Sequence, residues 1–301
     1  MSVLVVGSMA FDSIETPRGR AERILGGSAA YFALAAAFFA PVRIVGVVGE
    51  DFPEEHLTAL SRSGVDLEGL QRAQGKTFFW HGRYHEDLNV RDTLEVQLNV
   101  LEDFVPHIPE AYADTEYVFL GNIHPAAQLE VLAQLRQPRL VACDTMDHWI
   151  HESPGELKKV LERVDAVVIN DSEARMLSGH HNIVRAARAI LKMGPRTVLI
   201  KRGEYGVFQF ADASTFVVPA YPLEEVHDPT GAGDSFAGGF MGFLAAGGAA
   251  GDEGLRRAIV HGNVTASFTV EDFGPRRLIA LDRNEIDERY RRFVELTRFR
   301  D

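Results

Sequence analysis

Short apolar runs separated by segments of helical character limit the folds open to this chain. The runs lie at residues 2–6, 42–48, 117–120, 140–143 and 166–169. Residues 125–136 and 155–162, between the last three runs, have helical character. Strand–helix–strand alternation favours a parallel sheet with helices on both faces. The sequence therefore predicts an α/β fold, with ligands bound at the carboxyl ends of the strands.

A glycine-rich turn at residues 228–236, with the sequence DPTGAGDSF, opens a helix. Gly231 and Gly233 allow a tight turn and a close approach of the backbone to a ligand. Apolar residues then follow at helical spacing: Phe236, Phe240, Phe243 and Leu244. The free N–H groups of a first helical turn form an anion site, here assigned to Gly231, Ala232 and Gly233. With the Asp234 carboxylate at its mouth as a base, this site suits phosphoryl transfer to a hydroxyl.

Three further glycines, Gly238, Gly239 and Gly242, lie inside the predicted helix. Each costs about 1 kcal/mol relative to alanine, so we expect another element to pack very close to them. The structural alternative is a capped, buried helix in which Asp234 only satisfies the first N–H groups.

The string DPTGAGDSFAGGF at residues 228–240 resembles the C-terminal signature of the ribokinase-like (PfkB) carbohydrate and nucleoside kinases. The resemblance covers nearly the whole chain. It implies one three-layer α/β/α domain over residues 1–301, with a mostly parallel central sheet. It also implies a small β-sheet lid at about residues 13–25 and 75–100. The implied activity is an ATP- and Mg²⁺-dependent kinase that phosphorylates a hydroxymethyl group.

The residues expected to bind the acceptor come from the first half of the chain. Asp12 follows the first strand and resembles the family's aspartate that grips substrate hydroxyls, with a turn aspartate as the alternative. Gly26 and Gly27 resemble the family's N-terminal glycine pair. Tyr31 stands where the family usually has asparagine, which points to a different substrate. Asn122 lies just past the strand at 117–120, on the ligand-bearing edge.

Residues 77–84 have strand character, and Phe78, Trp80 and Tyr84 share one face by alternation. An aromatic lid face could stack on a nucleobase, although such rings more often pack in a core. Together with Tyr31, it favours a ribonucleoside as the acceptor, with a free sugar such as ribose or fructose as the alternative. Lids of this family sometimes join two copies, so a homodimer through the lid is a further expectation. Arg91 is a candidate phosphate contact, or a solvated charge.

Asn170 and Glu173 resemble the family's Asn-x-x-Glu motif near the Mg²⁺ and the phosphates, and Glu173 would hold Mg²⁺ through water. The structural alternative is a helix cap at Asp171 or Ser172. Around Asp228 the resemblance implies a monovalent cation, K⁺. It assigns five more residues to ATP binding: Lys201, Gly203, Gly206, Thr230 and Asn263.

Asp51 is a polar residue with a structural interpretation. It follows the strand at 42–48 and precedes a helical segment at 54–61. We expect its carboxylate to cap that helix, because aspartate accepts hydrogen bonds from the first helical N–H groups.

Composition excludes several functional classes. The net charge of −12 argues against a nucleic-acid partner. The single cysteine, Cys143, excludes an internal disulfide and a cysteine-based metal site. The longest apolar run, 29–42, contains Pro41 and is too short to span a bilayer. With no signal sequence visible after Met1, we expect a cytoplasmic enzyme without a membrane partner.

Two functions of other classes remain open. The Gly233-Asp234-Ser235 string also marks a family of serine hydrolases, but that motif is expected near the N-terminus, with an Asp-x-x-His late in the chain. The last histidine, His261, has no aspartate three residues before it. A non-catalytic ligand sensor on a kinase fold is the second possibility.

Overall fold

The computed structural model describes residues 1–247 and 251–298. Its strands are β1 Val3–Val6, β2 Ala10–Thr16, β3 Gly19–Gly26, β4 Val42–Val48, β5 Val65–Arg72, β6 Phe78–Tyr84, β7 Arg91–Gln97, β8 Tyr117–Leu120, β9 Leu140–Cys143, β10 Ala166–Asn170, β11 Thr197–Lys201, β12 Val207–Phe210 and β13 Thr215–Val218. Its α-helices are α1 Ser28–Ala36, α2 Glu54–Arg62, α3 Pro125–Gln134, α4 Asp147–Glu152, α5 Pro154–Leu161, α6 Asp171–Ser178, α7 Ile183–Leu191, α8 Ala232–Ala245, α9 Gly251–Thr269, α10 Arg276–Ala280 and α11 Arg283–Thr297.

The central sheet has the order β13-β12-β11-β10-β9-β8-β1-β4-β5. Its strands are parallel from β11 to β5, and β12 and β13 add an antiparallel edge. Val3 and Val5 belong to one hydrophobic core, while Leu4 and Val6 belong to another. Because successive side chains of a strand point to opposite faces, the sheet has a core on each side. Helices α1, α8, α9 and α11 contribute to the first core, and α3, α5, α6 and α7 to the second, which confirms three layers.

Four strands form a second sheet, here called the small sheet, in the order β3-β2-β6-β7. Both segments expected to form the lid contribute to it, but the first begins earlier than expected. Asp12 lies within β2 rather than in a loop after β1, because only residues 7–9 separate β1 from β2. Leu94 and Val96 of β7 are exposed, and association of two copies through this sheet stays a prediction.

Asp51 does not cap α2, as the sequence suggested. The cap position is Pro53, which provides no side-chain hydrogen bond. Asp51 Oδ1 instead accepts hydrogen bonds from the backbone N–H and the hydroxyl of Thr77, both at 2.7 Å. Its Oδ2 accepts a bond of 3.4 Å from Arg23. Asp51 therefore fastens the beginning of β6, and with it the small sheet, to the loop after β4.

Helix α8 lies between α1 and α9 in backbone contact with both. A methyl group on Gly238 would overlap the carbonyl oxygen of Phe32, and one on Gly242 would stand 2.7 Å from that of Ala36. On the other side, a methyl group on Gly239 would stand 3.0 Å from the Cα of Gly262 in α9. These contacts confirm that the helical glycines permit close packing. In the parts of the chain that the structure describes, no helix combines the length and apolar character needed to cross a membrane.

Candidate active site

The first turn of α8 has the conformation expected of an anion site. Gly231 precedes the helix with φ 74°, a left-handed conformation that other residues rarely adopt. The N–H of Ala232 donates to the carbonyl of Pro229 at 3.2 Å, so this group is engaged within the turn. Among residues 1–247 and 251–298, the N–H groups of Gly231 and Gly233 have no backbone hydrogen-bond partner, so they remain for an anion. Asp234 is the third helical residue, and the dipole of α8 adds positive potential at this end.

Asp234 has the properties of a base that works near neutral pH. Its side chain is half-buried, and burial raises its pKa to about 7. Repulsion from Asp144 adds to this rise, while the positive charges of Lys201 and Arg91 oppose it. A carboxylate with a pKa close to the working pH can accept a hydroxyl proton efficiently.

Lys201 and Asp144 lie beside this turn. Lys201 ends β11 and Asp144 follows β9, and the Nζ–Oδ2 distance is 3.4 Å. Sequence analysis did not assign Asp144 to the site. Its partner is 57 positions away and becomes adjacent only because β9 and β11 both flank β10 in the sheet.

Asn170 and Glu173 form a capping box at the beginning of α6. Asn170 Oδ1 accepts the N–H of Glu173 at 2.8 Å, and Glu173 Oε2 accepts the N–H of Asn170 at 2.8 Å. Asn170, rather than Asp171 or Ser172, is therefore the cap. Burial and the nearby Asp144 raise the pKa of Glu173.

The acidic groups at this place fit a hydrated divalent cation. Glu173 keeps Oε1 free of the capping box. Its pKa is raised mainly by burial, and the charges of Asp144 and Asp147 nearby add to the rise. No group of three or more histidine, cysteine, aspartate or glutamate residues suited to hold a metal occurs within residues 1–247 and 251–298. A magnesium ion at Glu173 would therefore depend on water and nucleotide oxygens for most of its ligands.

Gly26, Gly27 and Tyr31, three of the residues predicted to bind the acceptor, lie around Asp12, which is 4% exposed. Burial raises its pKa to about 8, Asp228 and Asp234 add repulsion, and the N–H of Gly27 opposes the rise. The carboxyl group occupies the space above Gly26, where a methyl group would overlap it. The charge of Asp234 adds to the rise in the pKa of Asp12, so the two carboxyl groups lie near each other.

Tyr31 and Asn122 differ in how far they are available to a ligand. Tyr31 is 1% exposed, and its hydroxyl has no hydrogen-bond partner among the described residues. Burial raises its pKa, and Asp12 and Asp228 add to the rise, which places the hydroxyl among these acids. The amide of Asn122, in contrast, already donates to Met146 Sδ at 3.1 Å and accepts from Trp149 Nε1 at 2.9 Å.

The small sheet reaches the glycine-rich turn through Tyr84. The hydroxyl of Thr230 donates to the Tyr84 hydroxyl at 3.2 Å. Arg91 is exposed but lies near the same region, with its guanidinium 5.8 Å from the centre of the Trp80 ring. Desolvation acts to lower its pKa, but Tyr84, Glu173 and Asp147 outweigh this effect, so the pKa is raised. Sequence reasoning had left Arg91 between a phosphate contact and a solvated charge.

Asp228 fastens the turn to the rest of the chain. Its Oδ1 accepts the N–H of Thr230 at 2.8 Å, and its Oδ2 accepts that of Gly274 at 2.9 Å. These bonds explain why a fully buried carboxyl group is tolerated here. A monovalent cation at Asp228 stays a prediction.

The remaining residues assigned to ATP lie beyond Lys201. Gly203 and Gly206 have φ 53° and 84° and form the turn that leads from β11 to β12. Asn89, in the loop between β6 and β7, contacts Gly203. Asn263 Nδ2 donates to the carbonyl of Pro219 at 2.5 Å. These contacts do not connect Gly203, Gly206 or Asn263 with the residues around Asp12. The role of the three residues in nucleotide binding stays a prediction.

Ser235 does not have the surroundings of a hydrolase nucleophile. It is 0% exposed, and its Oγ has no hydrogen-bond partner in the described part of the chain. A nucleophilic serine needs a base within hydrogen-bond reach and access to the substrate. The geometry therefore argues against the hydrolase alternative.

Comparisons with known proteins agree with this geometry. Residues 1–280 match the family described as pfkB family carbohydrate kinase. A cytidine kinase of Thermococcus kodakarensis is 37% identical over 246 residues, which cover 80% of this chain and 87% of the relative.

Two solved structures share the fold. A nucleoside kinase of Burkholderia thailandensis in complex with inosine has a TM-score of 0.79 at 21% identity, covering 99% of this chain and 100% of the other. An E. coli protein presumed to be ribokinase II, in complex with ATP and Mg²⁺, has a TM-score of 0.77 at 22% identity, covering 97% and 99%. The chain belongs to the PfkB family of carbohydrate kinases, enzymes that transfer a phosphoryl group to an alcohol.

Proposed function

We propose that this kinase transfers the γ-phosphoryl group of ATP to a hydroxymethyl group of a ribonucleoside. The observation that carries the proposal is that Gly231, at the start of α8, packs against the Tyr31 ring. The charges of Asp12 and Asp234 both raise the pKa of the Tyr31 hydroxyl, after burial as the main cause, so both carboxyl groups lie near it. A sugar ring gripped by Asp12 would present a hydroxyl to Asp234. A phosphoryl group bound at the first turn of α8 would lie beside that hydroxyl.

In this proposal each group has one role in the transfer. Asp12 accepts hydrogen bonds from the sugar hydroxyls and orients the acceptor. Asp234 takes the proton of the attacking hydroxyl, and the N–H groups of Gly231 and Gly233 stabilise the charge on the transferring phosphoryl group. Mg²⁺, when bound through water at Glu173, would neutralise charge on the phosphate oxygens. The small sheet covers the site and excludes water.

A nucleoside fits the small sheet better than a free sugar does. Trp80 is the register partner of Asp12 in the adjacent strand, so both side chains lie on the same face. Gly82 allows the indole ring to lie flat against β6, because any Cβ there would overlap it. The ring packs against the cluster of Ile14, Ala21, Tyr84 and Phe273, and the part of it that stays exposed would offer an apolar surface next to the group that grips the sugar. The similarity to a cytidine kinase and to a nucleoside kinase with bound inosine supports the same class of acceptor.

The test is ADP release from Mg·ATP with a panel of nucleosides and free sugars, for the wild type and Asp234→Asn. We expect a nucleoside to stimulate ADP release. Asp234→Asn should lower kcat about 10³-fold, the middle of the range for general-base catalysis, with no loss of fold. Asp212→Asn, in an exposed turn, is the matched control. Stimulation by ribose or fructose alone would replace the nucleoside by a sugar. Binding of ATP without stimulation by any acceptor would favour a ligand sensor.

Trp80→Ala separates the two acceptor classes within one protein. Since the indole ring would contact only the base, we expect roughly a tenfold higher KM for the nucleoside, a size typical of base–aromatic stacking. The KM for ATP should stay unchanged. An equal loss for nucleosides and free sugars would mean that Trp80 only supports the small sheet.

A further inference from the structure

The ammonium group of Lys201 lies beside the first turn of α8. Its side chain is 18% exposed, and it projects from the end of β11. A methyl group on Gly233 would stand 2.7 Å from Nζ, so the ammonium group lies within van der Waals distance of the helix backbone. It therefore faces the same space as the N–H groups of Gly231 and Gly233.

A positive charge at this place is electrostatically unusual. The N-terminus of a helix carries partial positive charge and disfavours a cation nearby. Burial acts to lower the pKa of Lys201, but the charges of Asp144, Glu173 and Asp234 outweigh this effect. The net pKa is raised, so the group is charged at neutral pH. Two sources of positive charge thus face one space, which favours an anion between them.

Asp144 holds the ammonium group without saturating it. Its Oδ2 lies 3.4 Å from Nζ, while its Oδ1 accepts the N–H of Thr145 at 2.7 Å. An ammonium group has three N–H donors, and Asp144 is its hydrogen-bond partner within residues 1–247 and 251–298. The other donors are therefore available to a ligand in the anion site.

We infer that Lys201 is a catalytic residue that binds the transferring phosphoryl group, with Asp144 as its positioning residue. The inference rests on the proposed function, in which ATP is the donor. The acceptor oxygen forms the new P–O bond, and the bond from the γ-phosphorus to the β–γ bridging oxygen breaks. The electron pair of the broken bond stays on ADP, and the hydroxyl proton passes to Asp234. Lys201 adds a full positive charge where negative charge concentrates on the γ oxygens.

The position of Lys201 predicts an effect on turnover rather than on nucleotide affinity. Nζ lies at Gly233, directly before Asp234, whereas the nearest atoms at Gly203 belong to Asn89. Lys201→Met keeps a long unbranched side chain and removes the charge. We expect it to lower kcat about 100-fold or more, the usual effect of removing one such donor, with the KM for ATP within about threefold. Lys201→Arg should recover part of kcat, and Lys158→Met, at an exposed residue, should match the wild type.

Two further readouts separate a catalytic from a structural role. Lys201 lowers the pKa of Asp234, so Lys201→Met should move the acid limb of kcat/KM to higher pH. Aluminium fluoride with Mg·ADP imitates the transferring phosphoryl group and needs no acceptor. The wild type should bind Mg·ADP about tenfold more tightly with aluminium fluoride than without it, and Lys201→Met should lose this increment.

The outcomes distinguish this inference from the proposed function. A Lys201→Met variant that keeps kcat and the fluoride increment, or that raises only the KM for ATP, would overturn the inference. If the wild type phosphorylates no nucleoside, the proposed acceptor fails, while the fluoride measurement still decides the role of Lys201. If Lys201→Met does not fold because Asp144 is left unpaired, the Lys201→Met/Asp144→Asn double variant takes its place in the kcat and aluminium fluoride measurements, with Asp144→Asn as its reference.

Discussion

The backbone of Gly231 lies directly against the aromatic ring of Tyr31, with no space for a side-chain carbon between them. Gly231 begins the anion site, and Tyr31 belongs to α1, which follows the glycine pair on the acceptor side. One contact therefore joins the part of the site assigned to the phosphoryl group to the part assigned to the acceptor.

Gly231→Ala should destabilise the protein and abolish turnover. The new methyl group would overlap the Tyr31 ring, and alanine at φ 74° is strained in addition. We expect a loss of about 2–4 kcal/mol of unfolding free energy in urea titrations. Gly64→Ala is the matched control, because Gly64 has φ 86° but no atom within 4 Å of a new methyl group. Should the two variants lose equal stability, the overlap with Tyr31 contributes nothing.

Tyr31→Phe should raise stability while it weakens acceptor binding. The Tyr31 hydroxyl is buried without a hydrogen-bond partner among the described residues. Its removal should therefore stabilise the fold by roughly 1 kcal/mol, the uncompensated cost of taking the hydroxyl out of water. If the hydroxyl binds the sugar, the KM of the acceptor rises about tenfold while the KM for ATP is unchanged. Thermal unfolding and steady-state kinetics measure both effects. An unchanged acceptor KM would remove Tyr31 from the acceptor site.

The rate should depend on the protonation of Asp234. Because the pKa of Asp234 is raised to about 7, its base form is lost as the pH falls below 7. We expect kcat/KM to fall about tenfold per pH unit on the acid side of this value. Asp144→Asn removes a negative charge that raises the pKa of Asp234, so the acid limb of kcat/KM should move to lower pH. A flat profile between pH 5 and 8 would exclude Asp234 as the base.

The ligand-free protein should lose folding stability as the pH rises, because of Asp12. Its pKa in the fold is about 8, against an ordinary value of 3.8, so the folded state holds a proton that the unfolded chain releases. The stability that this proton provides is fully present below pH 4 and is lost as the pH rises towards 8. Asp12→Asn should therefore flatten the pH dependence of unfolding and raise the Tm at pH 8. A lower Tm at pH 8 would contradict this account.

His261 should weaken the fold in acid. It stacks between Phe243 and Tyr290, with ring centroids at 4.1 and 4.2 Å, and burial, with Arg283 nearby, lowers its pKa to about 4. The unfolded chain takes up the proton at its ordinary pKa of 6.5, so stability falls as the pH drops from 6.5 towards 4. The full loss is about 3 kcal/mol. His261→Phe should lose this slope, whereas His180→Phe, at an exposed residue, should keep it.

Local sequence signals predicted the elements that depend on neighbours in the chain. The glycine turn, the helix after it and the close approach at Gly238 all follow from residue types and spacing. Asp51 was misassigned because its partner, Thr77, lies 26 positions away and a nearby helix offered a simpler explanation. Asp12 was expected just after the first strand, but it lies within β2, because only residues 7–9 separate the two strands.

The charge interactions and pKa shifts of the candidate site could not be predicted from local sequence signals. The Lys201–Asp144 pair depends on the order of β9, β10 and β11 in the sheet. The raised pKa of Asp234 depends on burial and on charges from Asp144, Lys201 and Arg91, three separate parts of the chain. Such sums of distant charges appear only in the folded arrangement.

The glycines along α8 have a consequence for the accuracy of the reaction. Helix α1 begins at the acceptor side and α8 begins at the anion site, and the two touch through backbone atoms at Gly238 and Gly242. Main-chain atoms cannot change rotamer, so the spacing between the two reactants is set by a rigid contact far from the chemistry. Variation of the residues that face the acceptor can therefore change what is phosphorylated without altering the line of attack.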